Sequence, residues 1–410
     1  MGIVNHEENT RPRWHYRPEK NWINDPNGFV FCGGWAHLFY QYNPNGDRWG
    51  DIHWGHARSR DLLTWETLPA ALAPQRDRKE RHCYSGSCCV DAKGRPHFFY
   101  TSVGDACDGL DARKGAYQRL ALPADGDLTA LVQDDGFALT QEVHRGMTVL
   151  EWRDPYVIRH KDGYLMVLGG VAEGRGCALL YTSPDLRTWT YRHILARSGQ
   201  ADGVSWECPN LFFLDGKCVL VYCPCSAVRV KTGTLGEDLI FHEEKDEVLD
   251  PGAWDGFYAP QAAKDASGRT VMIGWMPECD GREHKGWSGV MSLPRMLSLD
   301  EDGVRADPVP GAENLPGVKR MTVGREQLPY SWTVHRSPDG DEETVLTLQK
   351  DGTLILDRSR STRLPSASRS EIRRQVPVRQ KNEVFIAVDV SAVEAMVNGR
   401  WLSGRIYPIK

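Results

Sequence analysis

Three carboxylic acids occupy matching positions in a repeated pattern of this sequence. Asp25, Asp154 and Glu207 each precede a glycine by nine residues, and each glycine lies between two apolar runs. If these acids met in a partly buried site, crowding and desolvation would raise the pKa of at least one of them. Proteins tolerate that cost mainly where chemistry uses it. Two carboxyl groups with different pKa values are suited to cleaving a glycosidic bond, so the spacing predicts an acidic catalytic centre.

The residues beside each acid suggest a division of roles. Asp154 follows Arg153, and a neighbouring guanidinium lowers the pKa of a carboxyl, so Asp154 is expected to stay ionised and anchor sugar hydroxyls. Glu207 has apolar neighbours on both sides, which favours a raised pKa and the role of general acid. Asp25 lies among turn groups and beside Asn24, a setting that would stabilise the charge of a nucleophile.

Five hairpin segments would position these acids. Each is an apolar strand, a tight turn with glycine and a second apolar strand, whereas long amphipathic helices are not indicated. The turn glycines are Gly34, Gly94, Gly163, Gly216 and Gly268. Their spacings of 60, 69, 53 and 52 residues predict an all-β fold, a five-bladed β-propeller, with a β-sandwich or solenoid as the alternative. In a propeller the first strand of each blade lines the axis, so residues nine positions before the glycines would meet there.

Bulk composition excludes some partners. The 410-residue chain has a formal net charge of −5, which lacks the basic footprint of a nucleic-acid-binding protein. Its fourteen Trp fit either carbohydrate stacking or a β-rich core. The sequence shows no signal-peptide or membrane-spanning pattern, so no membrane partner is expected.

Cysteine and histidine usage predicts a reduced, metal-free protein. Eleven Cys, an odd number scattered through apolar runs, predict reduced thiols in a cytoplasmic protein. His53 and His56 are three residues apart, but the sequence offers no second ligand pair beside them, so no metal is predicted.

Ordered motifs along the chain resemble glycoside hydrolase family 32, the family of invertases, sucrose-6-phosphate hydrolases, inulinases and levanases. The motifs are "WINDPNG", "QYNP", "HWGHARSRDLLTWETLPAALAP", "YSGS", "RDP", "WECP", "FYAPQ", "IGWM" and "GWSGVMSLPR". The resemblance covers residues 14 to 300 and resumes weakly near the C-terminus. Residues 14 to 74 look most like bacterial intracellular sucrose and sucrose-6-phosphate hydrolases.

The resemblance implies roles for individual residues. Asp25 would be the nucleophile that forms a fructosyl-enzyme, Glu207 the acid/base, and Asp154 the transition-state stabiliser. The reaction would be retaining, with the carboxyls of Asp25 and Glu207 about 5–5.5 Å apart, and no metal or organic cofactor is implied. The residues implied to line the fructose pocket are Asn24, Gln41, Trp49, Tyr84, Ser85, Arg153, Tyr258 and Trp275. The implied fold is a five-bladed propeller followed by a β-sandwich.

Two local features bear on substrate choice. Asn210 follows "WECP" where the family usually has Asp, at a position expected to help shape the leaving-sugar site. The basic run "RDRKERH", residues 76–82, suggests the hypothesis of a phosphate contact, since arginine forks suit phosphate; a solvated loop is the alternative.

The chain is expected to have two domains. Residues 1–305 would form the catalytic propeller, residues 306–320 a linker rich in Pro and Gly, and residues 321–410 a trimmed β-sandwich. Two interpretations of the sandwich stay open: a stabilising cap on the propeller, or a contributor to a homo-oligomer or a neighbour's active site.

The predicted function is a β-fructofuranosidase that releases terminal fructose from sucrose and short fructo-oligosaccharides, its partner being a small sugar. A fructosyltransferase or exo-fructanase on the same three acids is the alternative. A non-catalytic sugar-binding propeller is the third hypothesis, disfavoured because all three acids are present.

Overall fold

The computed structural model describes residues 10–104, 116–201, 203–281 and 286–409. Within these ranges the regular elements are β-strands and short 3-10 turns, so the predicted all-β class is confirmed. None of the helices in these ranges has the length and apolarity to cross a membrane. The described cysteines all carry free thiols, in agreement with the prediction, and Cys107 lies outside the described residues.

Five sheets, antiparallel except for one added strand of the first, follow one another from residue 21 to residue 308. The first contains β1 (Asn21–Cys32), β2 (Trp35–Asn43), β3 (His53–Ser59) and β4 (Glu66–Leu72). The second contains β5 (Glu80–Val90), β6 (Pro96–Gly104), β7 (Ala116–Pro123) and β8 (Leu131–Gln133). The third contains β9 (Val149–His160), β10 (Gly163–Ala172), β11 (Arg175–Ser183) and β12 (Thr190–Arg197). The fourth contains β13 (Glu207–Leu214), β14 (Lys217–Cys223), β15 (Val228–Leu235) and β16 (Phe241–Asp250).

The fifth segment also closes onto the first sheet. Its strands are β17 (Tyr258–Lys264), β18 (Thr270–Met276), β19 (Trp287–Ser288), β20 (Val290–Met291), β21 (Arg295–Asp300) and β22 (Gly303–Pro308). β19 pairs in parallel with β1, and the other strands form the fifth sheet. The first strands β1, β5, β9, β13 and β17 contact one another in that order, and β17 contacts β1. These first strands therefore form a closed ring.

The positions of the hairpin turns explain why the spacing of the glycines predicted the five hairpins. Gly34 and Gly216 lie in two-residue turns with φ of +77° and +82°, a region that glycine adopts without strain. The third hairpin differs, because its turn residues are Lys161 and Asp162 and Gly163 already belongs to β10. The glycine pattern thus locates the hairpins to within one residue.

Two further sheets follow the ring. Their strands are β23 (Val318–Gly324), β24 (Tyr330–Arg336), β25 (Glu343–Leu348), β26 (Thr353–Arg360), β27 (Ile372–Gln375), β28 (Lys381–Asp389), β29 (Ala392–Val397) and β30 (Arg400–Arg405). One sheet has the order β23-β28-β29-β30 and the other β24-β25-β26-β27. Alternate residues of both sheets share one buried apolar cluster, as expected for sheets packed face to face.

A buried polar network joins the ring to the C-terminal sheets. His15 contacts the carboxylates of Asp389 at 3.0 Å and Glu394 at 2.9 Å through its two ring nitrogens. Arg295 donates to Glu394 at 2.6 Å and to Asp250 at 2.9 Å. All five side chains are buried. Because buried charges require partners, this network holds the two parts of the molecule in one arrangement.

Candidate active site

Each first strand carries a β-bulge in its pairing with the second strand of its sheet. In every case two residues of the first strand oppose one residue of its partner. The bulged pairs are Asn24–Asp25, Tyr84–Ser85, Asp154–Pro155, Cys208–Pro209 and Ala259–Pro260. Bulges re-aim side chains and occur beside active sites. Residues within the first three bulges, and the residues just before the last two, Glu207 and Tyr258, line one cavity.

The bulges place the three acids at related but unequal positions. Asp25 is the second residue of its bulge, Asp154 is the first residue of its own, and Glu207 lies immediately before one. The common nine-residue spacing therefore does not mark a single register position, because Gly163 lies just after its turn whereas Gly34 and Gly216 lie within theirs, and β1 contains a second bulge between Asn27 and Val30. Asp154 and Cys208 have φ of +64° and +45°, which is uncommon for residues other than glycine. Such backbone strain is concentrated at functional sites.

Asp25 is surrounded by hydrogen-bond donors. Asn24 donates to its Oδ1 at 3.1 Å, and Gln41 donates to its Oδ2 at 3.2 Å. The hydroxyl of Ser85 donates to the same Oδ2, and the Cys208 thiol lies 3.4 Å from it. Burial nevertheless raises the pKa of Asp25, while the hydrogen bond from Ser85 offsets part of that rise. The donors favour the ionised form that a nucleophile needs.

Asp154 is more strongly affected by burial than the sequence suggested. Burial raises its pKa to about 7, the Arg153 guanidinium opposes that rise, and the charge of Asp25 adds to it. The nearest approach of Arg153 is 3.8 Å from Nε to Oδ2, whereas the backbone N–H of Cys208 donates to that oxygen at 2.8 Å. The prediction that Arg153 keeps Asp154 permanently ionised is therefore wrong. The general prediction that crowding raises the pKa of at least one acid is confirmed.

Glu207 receives the cation instead. Arg153 donates through Nη2 to one oxygen of Glu207 and also pairs with Glu151. The hydroxyl of Tyr258 donates to the other Glu207 oxygen at 2.5 Å. The sequence argument used the apolar flanks of Glu207, but Trp206 stacks on the ring of Tyr222, with centroids 3.9 Å apart, within a core cluster. The flanks therefore do not enclose the carboxyl, and its surroundings are set by Arg153 and Tyr258.

One half-open cavity of about 500 Å³ contains the three acids, a size typical of small-molecule sites. All the predicted catalytic and binding residues except Ser85 line it, and Ser85 lies against Asp25. Trp22 and Trp254 also line the cavity and were missed from the sequence. Trp22 stood in the motif "WINDPNG" and orients Asn24 by donating to its Oδ1 at 2.7 Å. Trp254 lies four residues before Tyr258 in the glycine-containing segment "PGAWDGFY". A large aromatic residue in such a segment was the one signal in the sequence that could have indicated a role in the site.

Asn210 does not shape the sugar site. Its side-chain nitrogen donates to the carbonyls of Cys208 and Pro260 at 2.9 Å each, and its oxygen accepts from Ala262 N at 2.8 Å. The side chain is buried between β13 and β17 and does not line the cavity. An Asp could not make the two donations, so Asn210 contributes to strand packing. The expectation of a role at the leaving sugar is wrong.

The basic run is engaged in local contacts. Arg76 pairs with Asp51, and Arg78 pairs with Asp135 at 2.5 Å. Neither residue lines the cavity. The described residues therefore favour the solvated-loop interpretation of this run.

The described ranges contain no cluster of three or more His, Cys, Asp or Glu that could hold a metal ion.

An all-β ring with paired and hydrogen-bonded carboxylates in one cavity defines a glycosidase-like class of site. Residues 15–308 match the family described as "Glycosyl hydrolases family 32 N-terminal domain". The chain is 30% identical to a sucrose-6-phosphate hydrolase of Escherichia coli over 97% of this chain and 89% of the relative. It is 31% identical to a sucrose-6-phosphate hydrolase of Zymomonas mobilis over 97% of this chain and 87% of the relative. The chain therefore belongs to glycosyl hydrolase family 32.

Solved structures support the same fold. Fructan 1-exohydrolase IIa of Cichorium intybus superposes with a TM-score of 0.83 at 24% identity, covering 98% of this chain and 92% of that one. A family-32 β-fructofuranosidase of Bombyx mori, solved with sucrose, gives a TM-score of 0.77 at 26% identity, covering 98% and 89%. Both similarities extend through the C-terminal sheets, beyond the residues that match the family.

Proposed function

We propose that this protein is a retaining β-fructofuranosidase that releases terminal fructose from sucrose and short fructo-oligosaccharides. The observation that carries the proposal is the meeting of Asp25, Asp154 and Glu207 in one cavity. Relatives named sucrose-6-phosphate hydrolase match nearly the whole chain, which supports a β-fructoside as the substrate.

The proposed reaction has two steps. Asp25 attacks the anomeric carbon of the fructosyl unit while a protonated Glu207 gives its proton to the glycosidic oxygen, so that the bond breaks and a fructosyl-enzyme forms. Glu207 then takes a proton from water, and that water releases fructose and restores Asp25. Asp154 would bind fructose hydroxyls and stabilise the oxocarbenium-like transition state. The separation of about 5–5.5 Å between the carboxyls of Asp25 and Glu207 stays a prediction.

Arg153 and Tyr258 suit the acid/base role of Glu207. After Glu207 has given its proton to the leaving oxygen, its carboxylate remains beside a guanidinium and a phenol that already donate to it. Charge-assisted hydrogen bonds of this kind are stronger than neutral ones. They would stabilise the charge that the first step creates, and water would later return the proton.

The fold proposal is a five-bladed β-propeller followed by a trimmed β-sandwich. Its support is the closed contact of five first strands and the shared core of the last two sheets. We propose residues 1–305 as the catalytic domain, 306–320 as the linker and 321–410 as the sandwich.

A cytoplasmic location is proposed from the free thiols. Of the two roles for the sandwich, the buried network through Arg295 favours a cap, and oligomerisation stays a prediction.

Unphosphorylated sucrose is proposed ahead of sucrose 6-phosphate. Arg153 is the one cation among the described lining residues, and Glu207 and Glu151 already engage it. Rates on sucrose, sucrose 6-phosphate, kestose, inulin and levan, with fructose and glucose assayed separately, test this choice. Fast release from long fructans would favour the exo-fructanase alternative. Abundant kestose with little free fructose would favour a fructosyltransferase.

The decisive variant is Asp25→Asn. An amide cannot form the fructosyl ester, so kcat on sucrose should fall more than about a thousandfold while the fold is kept. Asp162→Asn is the matched control, since it makes the same change on the exposed turn between β9 and β10 and should keep the parental rate. Hydrolysis by Asp25→Asn at the parental rate would refute the mechanism. Circular dichroism and melting temperature check that each variant is folded.

A further inference from the structure

Trp254 is an exposed aromatic ring at the mouth of the cavity. Its side chain is 48% exposed, and it lines the same cavity as the three acids. It stacks on the ring of Tyr258 with centroids 4.5 Å apart and planes 27° apart. Tyr258 thus covers one face of the indole, while the exposed remainder borders the cavity. Burying a large aromatic surface contributes strongly to binding. A ring that is half exposed beside an active site is therefore suited to contact a bound ligand.

The position of Trp254 identifies which part of a substrate it meets. Tyr258, which supports Trp254, donates to Glu207 at 2.5 Å. In the proposed reaction Glu207 protonates the oxygen of the leaving group, so the leaving group must emerge on the Glu207 side. The other half-exposed tryptophan, Trp49, lies instead against Tyr84, whose neighbour Ser85 donates to the nucleophile. Trp49 therefore contacts a neighbour of the nucleophile's donor, whereas Trp254 contacts the donor of the acid/base and also meets Trp275 edge-on, with centroids 5.9 Å apart.

The loop that carries Trp254 is held by the C-terminal sheets. Arg358, Ser368 and Ser370 each donate to Oδ2 of Asp255 at 2.8 Å. The loop backbone also lies so close to β30 that a Cβ on Gly256 would approach the carbonyl oxygen of Ser403 to 2.0 Å. A ring on a loop held in this way is pre-organised, which lowers the entropy lost on binding.

We propose that Trp254 is a specificity-determining residue that stacks on the sugar ring of the leaving group. Its flat face would take the apolar C–H face of a hexose, as aromatic rings do in carbohydrate sites. The leaving groups it favours are therefore sugar rings, such as the glucose of sucrose or the next unit of a short fructan. This inference rests on the proposed function.

The test compares two substrates that share fructose and differ in leaving group. Sucrose has a sugar ring on the leaving side, and methyl β-D-fructofuranoside has only a methyl group. Trp254→Ala should lower kcat/KM on sucrose about tenfold, mostly through KM, and change kcat/KM on the methyl fructoside less than about twofold. Trp254→Phe keeps a flat ring and should retain most of the sucrose rate.

The possible outcomes are distinguishable. A parent enzyme that hydrolyses neither substrate would refute the proposed function, and the role of Trp254 with it. An active parent with equal losses on both substrates in Trp254→Ala would refute the leaving-group role alone. An unchanged sucrose rate in Trp254→Ala would refute it as well. Melting temperatures of parent and variants separate these results from misfolding.

Discussion

Three acids and one guanidinium share the cavity, and burial sets how protons are divided among them. Burial raises the pKa of Asp154 to about 7 and also raises the pKa of Asp25. Burial therefore makes both aspartates hold a proton more readily than an exposed aspartate would. A bound fructose would bring hydroxyl donors that favour the ionised form of Asp154. Substrate binding and proton release at Asp154 should be coupled for that reason.

The raised pKa of Asp154 predicts that this site residue lowers the free energy of unfolding at neutral and alkaline pH. Between its usual pKa of 3.8 and about 7, folded Asp154 holds a proton that the unfolded chain has released. The free energy of unfolding therefore falls as pH rises through this window and stays lower above it. Asp154→Asn removes the titration while keeping a side-chain oxygen for the Cys208 N–H. We expect it to raise the free energy of unfolding at pH 8 by about 2–4 kcal/mol, with little gain at pH 4, while abolishing activity.

Urea denaturation at pH 4, 6 and 8 checks this expectation. Asp162→Asn on the exposed turn is the control and should leave the pH profile of the parent unchanged. Parallel profiles for the parent and Asp154→Asn would show that burial of Asp154 has no such cost.

At the scale of elements, the loop from residue 251 to residue 257 links two parts of the molecule. It joins β16 to β17, carries Trp254 and leads directly into Tyr258. Arg358 is fully buried and reaches Asp255 from β26. Burial raises the pKa of Asp255, but Arg358 and the serine donors outweigh it, so the pKa lies below its usual value. The carboxylate is therefore charged when the loop is held.

Asp255→Asn should loosen this loop without touching the acids. The amide loses the ion pair with Arg358, so Trp254 would spend less time in its stacked position. We expect KM for sucrose to rise about threefold to tenfold while kcat changes less than about twofold. Asp339→Asn, which removes an exposed pair with Arg363 elsewhere in the C-terminal sheets, is the matched control. A fall in kcat with unchanged KM would contradict the positioning role.

Some elements could be predicted from the sequence, and others could not. Apolar runs and turn glycines are local signals, so the five hairpins and the strands bearing the acids could be predicted. The bulges could not be predicted, because a bulge depends on how the strand pairs with its partner and not on its own sequence alone. The partner of Arg153 was misassigned because Asp154 is adjacent in sequence, whereas the guanidinium donates to Glu207, which is 54 residues away on another sheet. Trp254 was missed since its importance depends on contacts with distant C-terminal residues.

At the scale of the whole molecule, His15 connects the ring to the C-terminal sheets. Burial lowers the pKa of His15, but hydrogen bonds with Asp389 and Glu394 outweigh it and raise the pKa above 6.5. Burial raises the pKa of both acids, but His15 and backbone hydrogen bonds outweigh it at Asp389, and Arg295 and His15 outweigh it at Glu394, so each pKa lies below its usual value. The stability from His15 is thus fully present below pH 6.5 and is lost as pH rises through its folded pKa. The stability from the acids is lost as pH falls through their own pKa values.

His15→Gln should therefore destabilise the protein most in mildly acidic solution. The variant leaves the buried carboxylate of Asp389 without its cation, while Glu394 keeps Arg295. Breaking a buried pair costs about 3–5 kcal/mol. We expect that loss in the free energy of unfolding at pH 6 and a smaller one at pH 9, because the parent loses the charge of His15 as pH rises through its raised pKa. Urea denaturation at both pH values measures it, with exposed His242→Gln as the control. Equal losses at pH 6 and pH 9 would contradict the charged state of His15.

The contact between Asp255 and the C-terminal sheets also constrains how such enzymes can diverge. The loop with Trp254 and its three anchors, Arg358, Ser368 and Ser370, lie more than 100 residues apart in sequence. A change at one end leaves a buried arginine or a carboxylate unmatched at the other. The loop and its anchors should therefore be inherited together, and a chimera that exchanges the ring alone between relatives would keep its acids and lose its choice of leaving sugar.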